Sequence, residues 1–194
     1  MEIRPLKESD LALAKAFTDR TIGENYYSAA EWSEIFKRSQ KDGEQCTLVL
    51  EDDGKIRGVR ITYPPGNWQK GKGKGLNPQN WGVPFADVAY FQSIFVDPDL
   101  MGGGWGGKLS RAALEILKKL KTKAVVTHSW KESPKNSSRK YLEAMGFKLI
   151  ASHPLYWHDV DYQCTRCGKP CVCTAEEMIL KLDSKGVQQT GGEK

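Results

Sequence analysis

One stretch organises the interpretation of the sequence: Val96-Asp97-Pro98-Asp99-Leu100-Met101-Gly102-Gly103-Gly104-Trp105-Gly106-Gly107-Lys108-Leu109. Its glycines separate an apolar strand pattern from a helical pattern, in which apolar residues recur every three or four positions from Leu109 to Leu120. Glycines before a helix allow backbone N–H groups to converge, and the positive end of the helix dipole adds to their attraction for phosphate oxygens. The stretch therefore predicts a ligand that carries phosphate.

Two common phosphate-binding motifs do not fit this stretch. A P-loop ends in Gly-Lys followed by Ser or Thr, whereas Gly107-Lys108 is followed by Leu109. A dinucleotide-binding turn needs an acidic residue about twenty positions further on, and residues 123–126 contain no carboxylate. The ligand is therefore expected to be neither a nucleoside triphosphate held by a P-loop nor a nicotinamide dinucleotide.

The stretch resembles the acetyl-CoA-binding segment of the GNAT superfamily of N-acetyltransferases. In that family a strand ends in a hydrophobic residue, often followed by x-Pro, then Arg or Gln, then Gly-x-Gly-x-Gly or Ala, and then a helix. Val96, Pro98 and 102–106 match this pattern in register, and Met101 stands where the family usually has Arg or Gln. A second segment, 141–147, is similar to the family's helix that ends in Gly-Phe.

The resemblance covers roughly residues 1–182 and implies the GNAT acyl-CoA N-acyltransferase fold. This is an α/β (α+β) fold with a mixed, mostly antiparallel central sheet flanked by helices. Local patterns give the same order of elements: strand, two helices, three strands, helix, strand, helix and two strands. We expect one domain over 1–182, an exposed inserted loop over 64–85, a four-cysteine loop over 164–173 in the last hairpin, and a disordered tail over 183–194.

The resemblance also implies how the coenzyme is held. In the family, the strand before the glycine turn and the strand after its helix diverge, and the pantetheine arm lies between them. The corresponding backbone here is that of Ile94, Phe95 and Val96, and the Ile94 amide is the candidate for polarising the thioester carbonyl. Asn136 and Ser138 are candidate coenzyme contacts near the start of the second helix. The predicted phosphate cradle consists of Met101, Gly102, Gly103, Gly104, Trp105, Gly106 and Gly107.

The catalytic acid and base are less clearly marked in the sequence. The family's proton-donating tyrosine typically lies four residues before Gly-Phe, where this chain has Leu142, so the adjacent Tyr141 becomes the candidate acid. The strand that often supplies a carboxylate base carries Tyr90, Gln92 and Ser93 instead. The remaining candidate bases are His128 and a group formed by His158, Asp159 and Asp161.

A cluster of cysteines lies outside the usual family pattern. Cys164, Cys167, Cys171 and Cys173 place four thiols within ten residues, and four thiolates satisfy the tetrahedral preference of a structural Zn²⁺ ion. Reduced or redox-active thiols and an iron–sulphur centre are the alternatives, whereas disulfides are disfavoured in a reducing cytosol. The fifth cysteine, Cys46, begins an apolar strand and is expected to be an ordinary buried thiol.

Composition limits the partners. The net charge of +5 is modest, and the first residues lack the apolar core of a signal peptide, so we expect a cytoplasmic protein that does not enter a membrane. Nucleic acid is not an expected partner, although Trp68, Trp81 and the lysines of 70–74 resemble elements of a nucleic-acid-binding surface. A homodimer stays open.

The main hypothesis from the sequence is an acetyl-CoA-dependent N-acyltransferase that acts through a ternary complex on an amine of a small molecule or a protein. The alternative is a non-catalytic, zinc-stabilised module that binds acyl-CoA as a sensor or interaction partner. Leu142 in place of tyrosine and the missing strand carboxylate keep this alternative open.

Overall fold

The computed structural model describes residues 1–69, 75–160, 163–164 and 166–182. The helices are α1 (Leu11–Thr21), α2 (Ala29–Arg38), α3 (Trp105–Lys119) and α4 (Ser137–Ala144). The strands are β1 (Glu2–Pro5), β2 (Gln40–Lys41), β3 (Glu44–Gln45), β4 (Leu48–Asp52), β5 (Lys55–Tyr63), β6 (Val88–Val96), β7 (Ala124–Trp130), β8 (Lys148–His153) and β9 (Ala175–Lys181).

Seven strands form one sheet in the order β1-β4-β5-β6-β7-β9-β8. Neighbours are antiparallel except β6 and β7, which are parallel and are connected through α3. This mixed, mostly antiparallel sheet with helices on its faces confirms the predicted fold class. The cysteine loop lies between β8 and β9, the last antiparallel pair, as predicted.

The two faces of the sheet bury separate apolar clusters. One cluster contains Phe17 and Trp32, which place α1 and α2 over one face. The other contains Leu109, Leu117 and Leu142, which place α3 and α4 over the opposite face. Because side chains alternate between faces along a strand, successive residues of β6 contribute to different clusters.

Local signals in the sequence position several of these elements. Ser28 and Glu31 form the predicted capping box at the start of α2, in which each side chain bonds the other residue's backbone N–H. Asp53 and Gly54 take positive φ values of 49° and 72° in the β4–β5 turn, the conformation that the Asp-Gly pair predicts. The short β2–β3 hairpin was not predicted, because two-residue strands carry no periodic pattern.

The described part of 64–85, residues 64–69 and 75–85, contains no strand or α-helix, but the prediction that it is exposed is wrong for its tryptophans. Trp68 is 3% exposed and Trp81 is 0% exposed. Trp68 stacks on Tyr90 with ring centroids 4.9 Å apart, and its indole N–H donates to the carbonyl of Val88 at 2.7 Å. The segment therefore covers one end of the sheet. Its overall composition is polar, but its aromatic residues supply the apolar area that is buried there.

This burial also removes the two tryptophans from any nucleic-acid-binding surface, since stacking on bases requires exposed rings. The lysines of 70–74 and the predicted tail over 183–194 lie outside the described residues. In the part of the chain that the structure describes, no helix has the length and apolar character needed to span a membrane.

Candidate active site

The parallel strands β6 and β7 diverge halfway along the sheet. Their ladder runs from the pair Val88–Ala124 to the pair Phe91–Thr127, while β6 continues to Val96 and β7 continues to Trp130. Beyond Phe91, β6 stays paired with β5 on its other side, and β7 stays paired with β9. The divergence therefore leaves one edge of β6 and one edge of β7 facing a gap, with backbone hydrogen-bonding groups along both edges.

The glycine turn lies at the end of β6. Gly102 and Gly104 take positive φ values of 83° and 73°, and Gly104 is the residue that precedes α3. The first backbone bond into the helix is donated by Lys108 to the carbonyl of Gly104 at 3.0 Å. The amides of Met101 and Gly103 donate within the turn, to the carbonyls of Pro98 and Leu100 at 3.2 Å. The amides of 104–107 have no partner inside the helix, so they are the ones available to an anion at this terminus.

Side chains contribute to this terminus in a way that the sequence did not predict. The ammonium group of Lys108 lies 4.0 Å from the centroid of the Trp105 ring. The guanidinium of Arg111 is close enough to Gly107 that an added Cβ would lie 3.2 Å from its nitrogen. Met101, in the position where the family has Arg or Gln, is 70% exposed. Lys108 and Arg111, in the first two turns of α3, thus place positive charge near the glycine turn, whereas the family pattern has an Arg or Gln just before the glycines.

An ion-pair network fixes the start of the turn. Arg57 donates from Nε to Asp97 at 2.7 Å and from Nη2 to Asp99 at 2.6 Å. Arg20 reaches Asp97 at 3.1 Å. Because β5 supplies Arg57, the turn is tied to the strand beside β6 as well as to β6 itself.

Tyr141 lies against the helix that follows the glycine turn. Its hydroxyl forms a short hydrogen bond with Ser110 and lies 3.5 Å from the carbonyl of Gly106. Leu142, at the family's tyrosine position, is buried in the core instead. The structure thus places the hydroxyl of Tyr141 beside the predicted cradle, on the face of the sheet that α3 covers.

Asn136 and Ser138 lie at the start of α4. Asn136 precedes the helix with a φ of 55°, and its side-chain oxygen is buried without a hydrogen-bond partner among the described residues. The hydroxyl of Ser138 accepts a bond from the backbone N–H of Trp130 at 3.2 Å. Asn136 therefore retains an acceptor for a ligand, whereas Ser138 connects α4 to the end of β7.

His128 is the first residue of β7 beyond its pairing with β6. Its Nε2 lies 2.8 Å from the carbonyl of Gly75, so Nε2 carries the proton and Nδ1 carries the lone pair. Nδ1 accepts from the hydroxyl of Tyr90 at 3.0 Å, and the hydroxyl of Tyr156 lies 3.4 Å away. Burial lowers the pKa of His128 to about 4, which keeps the ring neutral near pH 7.

A buried carboxylate on β9, that of Glu177, lies next to His128. Glu177 lies opposite His128 in the β7–β9 ladder and accepts hydrogen bonds from Asn77, from the indole N–H of Trp81 at 2.6 Å and from His153 at 3.0 Å. Burial raises the pKa of Glu177, but these hydrogen bonds outweigh burial and hold it below its ordinary value. The carboxylate therefore fastens the 75–85 segment to the sheet.

Gly75 fits closely into this arrangement. A Cβ added to Gly75 would lie 2.2 Å from the ring of His153, so no other residue fits there without a shift. The carbonyl that orients His128 is thus placed by a glycine that packs against a second histidine. The sequence gives no sign of this, because Gly75 is one of several glycines in a lysine-rich run.

The other candidate bases are placed differently. His158 is exposed and bonds Asp159 at 3.0 Å, while Asp161 lies outside the described residues. Ser93 bonds the hydroxyl of Tyr27 at 3.0 Å, which brings the α1–α2 connection to the edge of β6. His128 is therefore the candidate base that lies at the point where β6 and β7 diverge.

Arg60 is a buried cation that the sequence analysis missed. It is 2% exposed, lies across the ladder from Ile94, and has its guanidinium carbon 3.6 Å from the centroid of the Phe91 ring. Its Nε and Nη2 have no hydrogen-bond partner among the described residues, and burial lowers its pKa to about 10. Its position between the apolar residues Val59 and Ile61 in β5 was the available signal.

The four cysteines of the last hairpin converge. Their sulphur atoms all lie within 4.8 Å of one another, and all five cysteines of the chain are free thiols. Cys171 and Cys173 are fully buried, and Trp130 and Trp157 pack against the cluster. Cys46 is distant from these four cysteines in the sequence. It is a buried thiol, as predicted, and lies in the core beneath α3.

Comparison with solved structures gives the same fold. The ribosomal-protein-S18-alanine N-acetyltransferase of Escherichia coli superposes with a TM-score of 0.66 at 19% identity, over 96% of this chain and 97% of that chain. An N-acetyltransferase from Staphylococcus aureus Mu50 gives a TM-score of 0.67 at 18% identity, over 94% and 98%. The protein yncA from Salmonella typhimurium, solved with its cofactor acetyl-CoA, gives 0.67 at 18% identity, over 97% and 98%.

A comparison with curated protein sequences gave no match. The sequence itself carries a family assignment, because residues 11–147 match the profile of the acetyltransferase (GNAT) family. That range includes the diverging strands, the glycine turn, Tyr141 and His128. Since the match spans well over half of the chain, this protein belongs to the acetyltransferase (GNAT) family.

Proposed function

We propose that this acetyltransferase transfers the acetyl group of acetyl-CoA directly to an amine within a ternary complex. The observation that carries the proposal is the divergence of β6 and β7 immediately before the glycine turn, with His128 at the point of divergence and Tyr141 beside the turn. The gap offers strand edges for a pantetheine arm, and the turn offers amides for a pyrophosphate.

In this proposal the backbone of the glycine turn, 101–107, binds the pyrophosphate, and Lys108 and Arg111 add positive charge. The edges of Ile94, Phe95 and Val96 bond the pantetheine arm. The amide of Ile94 donates to the thioester oxygen, where negative charge develops during attack. Asn136 contributes its unpaired oxygen as a coenzyme contact.

The chemical step forms a bond between the amine nitrogen and the acetyl carbon and breaks the bond between that carbon and sulphur. The electron pair of the broken bond leaves on the thiolate. His128 accepts the amine proton at Nδ1 through its tyrosine hydrogen bonds, and Tyr141 returns a proton to the thiolate. Nδ1 of His128 is unprotonated near pH 7 and accepts from the hydroxyl of Tyr90, so a proton would reach it along that hydrogen bond.

The acceptor is expected on the face that carries His128. There the α1–α2 connection contributes Tyr26 and Tyr27, and the β8–β9 connection contributes Tyr156. The acceptor is an amine of a small molecule or of a protein; the solved neighbours named for ribosomal-protein alanine acetylation favour testing peptide amines first. A cytoplasmic location and a zinc ion at the cysteines belong to the same proposal, and the five free thiols support both.

The test is release of CoA thiol from acetyl-CoA in the presence of peptides with free N-termini, lysine-containing peptides, polyamines and arylamines. We expect turnover with at least one class, with the acetyl group found on nitrogen by mass spectrometry. Tyr141→Phe should lower kcat by about tenfold or more without weakening acetyl-CoA binding. Binding of acetyl-CoA without turnover on any class would instead support the non-catalytic sensor.

A further inference from the structure

The sulphur atoms of the cysteine cluster are spaced like the corners of a tetrahedron around a metal. The Sγ–Sγ distances are 3.9 Å for Cys164–Cys173, 3.8 Å for Cys167–Cys171 and 3.7 Å for Cys167–Cys173. Four thiolates at about 2.3 Å from a Zn²⁺ ion lie about 3.8 Å from one another. These separations are much too long for disulfides, whose sulphurs are about 2 Å apart.

The backbone around the first two cysteines is folded to hold such a centre. Cys164 and Gly168 bond each other through both backbone groups, at 3.2 and 3.0 Å, which closes the loop that carries Cys167. Gly168 takes a φ of 78° to make this turn. The amide of Val172 donates to the sulphur of Cys167 at 3.3 Å, a bond that stabilises negative charge on sulphur.

All four positions are filled by sulphur, and three of the four cysteines are buried. Such a closed set of ligands leaves no position for water or substrate, which is characteristic of a structural site. Arg166 and Lys169 lie between the ligands in the sequence and offset part of the net negative charge of a zinc tetrathiolate.

The cluster is directly connected to the candidate active site. The backbone N–H of Tyr156 donates to the carbonyl of Cys173 at 3.1 Å, while the Tyr156 ring lies 4.6 Å from the ring of His128. Trp157, the next residue, packs on the cysteines. Between β8 and β9 the described residues contain no helix or strand, and the cysteine cluster connects the two ends of this segment through the bond from Tyr156 to Cys173.

We propose that Cys164, Cys167, Cys171 and Cys173 bind one Zn²⁺ ion, and that this ion holds Tyr156 against His128 as one wall of the acceptor site. The metal site stands independently of the chemistry; the role of Tyr156 rests on the proposed acetyl transfer. Zinc adds no catalytic step here. It fixes the position of a side chain that contacts the proton-accepting histidine.

The first experiment measures metal by plasma mass spectrometry in the protein purified without chelators. We expect about one zinc per chain, retained in Cys46→Ser and lost in Cys171→Ser. Exchange with Co²⁺ should give the intense visible bands of tetrahedral thiolate ligation, a readout that does not depend on a variant that folds. Metal-free protein with all thiols open to reagent, or stoichiometric iron, would overturn the zinc site.

The second experiment compares zinc-loaded protein with protein stripped by a mercurial reagent and chelator. Tryptophan fluorescence should change, because Trp130 and Trp157 contact the cluster. The KM for the amine should rise at least about tenfold, with acetyl-CoA affinity within about twofold, and added zinc should reverse both changes. An unchanged KM overturns the role of Tyr156 but leaves the metal site. Absence of turnover in the zinc-loaded protein overturns the proposed function instead.

Discussion

The proposed coenzyme side and the proposed acceptor side of this protein are built in different ways. Most of the proposed coenzyme side is formed by contiguous residues, from Ile94 at the edge of β6 to Arg111 in α3, and its main groups are backbone amides. Asn136 at the start of α4 and Tyr141 within α4 are added to it. The proposed acceptor side gathers groups from distant parts of the chain: the side chains of Tyr90, His128, Tyr156 and Glu177, and the backbone carbonyl of Gly75. A site made of backbone tolerates change in its side chains, whereas a site made of side chains depends on each of them.

The largest effect should come from His128→Gln, which keeps a hydrogen-bonding side chain but removes the proposed base. We expect kcat to fall by about 10²- to 10⁴-fold, the usual contribution of a positioned general base. Acetyl-CoA affinity, measured by calorimetry, should not change, because the coenzyme side is separate. His158→Gln is the matched control, since His158 is exposed, and should keep full activity. Equal losses in both variants would contradict the assignment.

The second effect concerns the hydrogen bonds by which Glu177 holds the 75–85 segment on the sheet. Glu177→Gln replaces one carboxylate oxygen by an NH₂ group that faces the N–H donors of Asn77, Trp81 and His153. We expect the free energy of unfolding to fall by about 3 kcal/mol, because a buried donor is left unpaired.

The neighbouring residue provides the control for this change. Glu176 is also buried, but it faces the opposite side of the sheet and accepts from Arg139 and Ser129. Glu176→Gln should lower stability without moving the KM for the amine, whereas Glu177→Gln should raise that KM as well. Denaturant titration and steady-state kinetics separate the two outcomes, and matching KM values in the two variants would argue against a special role for Glu177.

The third effect tests the coenzyme side. Gly104→Val puts a β-branched residue at a φ of 73° directly before α3, where it strains the backbone and displaces the amides. We expect acetyl-CoA to bind about 100-fold more weakly, because a strain of a few kcal/mol is relieved only if the backbone of the glycine turn moves away from the geometry that binds phosphate. Gly66→Val, at a φ of 88° with open space around it, should destabilise the protein but leave coenzyme affinity intact.

The same contrast explains what the sequence could predict. The order of strands and helices, the divergence of β6 and β7 and the position of the glycine turn follow from local patterns and from the resemblance, because contiguous residues carry that information. Burial of Trp68 and Trp81 was mispredicted, since their partners, Val88 and Glu177, are distant in the chain. The close fit of Gly75 against His153 and the unpaired guanidinium of Arg60 likewise depend on tertiary contacts that no local pattern records.

The smallest effect is a pH dependence of stability that originates from His128. Its pKa is about 4 in the folded protein and about 6.5 when unfolded, so the unfolded chain binds more protons between these values. Stability should therefore fall as the pH is lowered from 7.5 to 5, by roughly 2 kcal/mol from this residue alone.

Glu177 does not contribute in that window. Its folded pKa is lowered, so the stability it provides is present above the ordinary carboxyl pKa and is lost only as the pH falls further. His128→Gln should accordingly flatten the stability profile between pH 7.5 and 5, measured by urea unfolding, while His158→Gln should keep the slope of the parent protein. A slope that survives in His128→Gln would show that the ring is not held neutral by burial, and it would also remove the physical reason for an unprotonated Nδ1 at the point where β6 and β7 diverge.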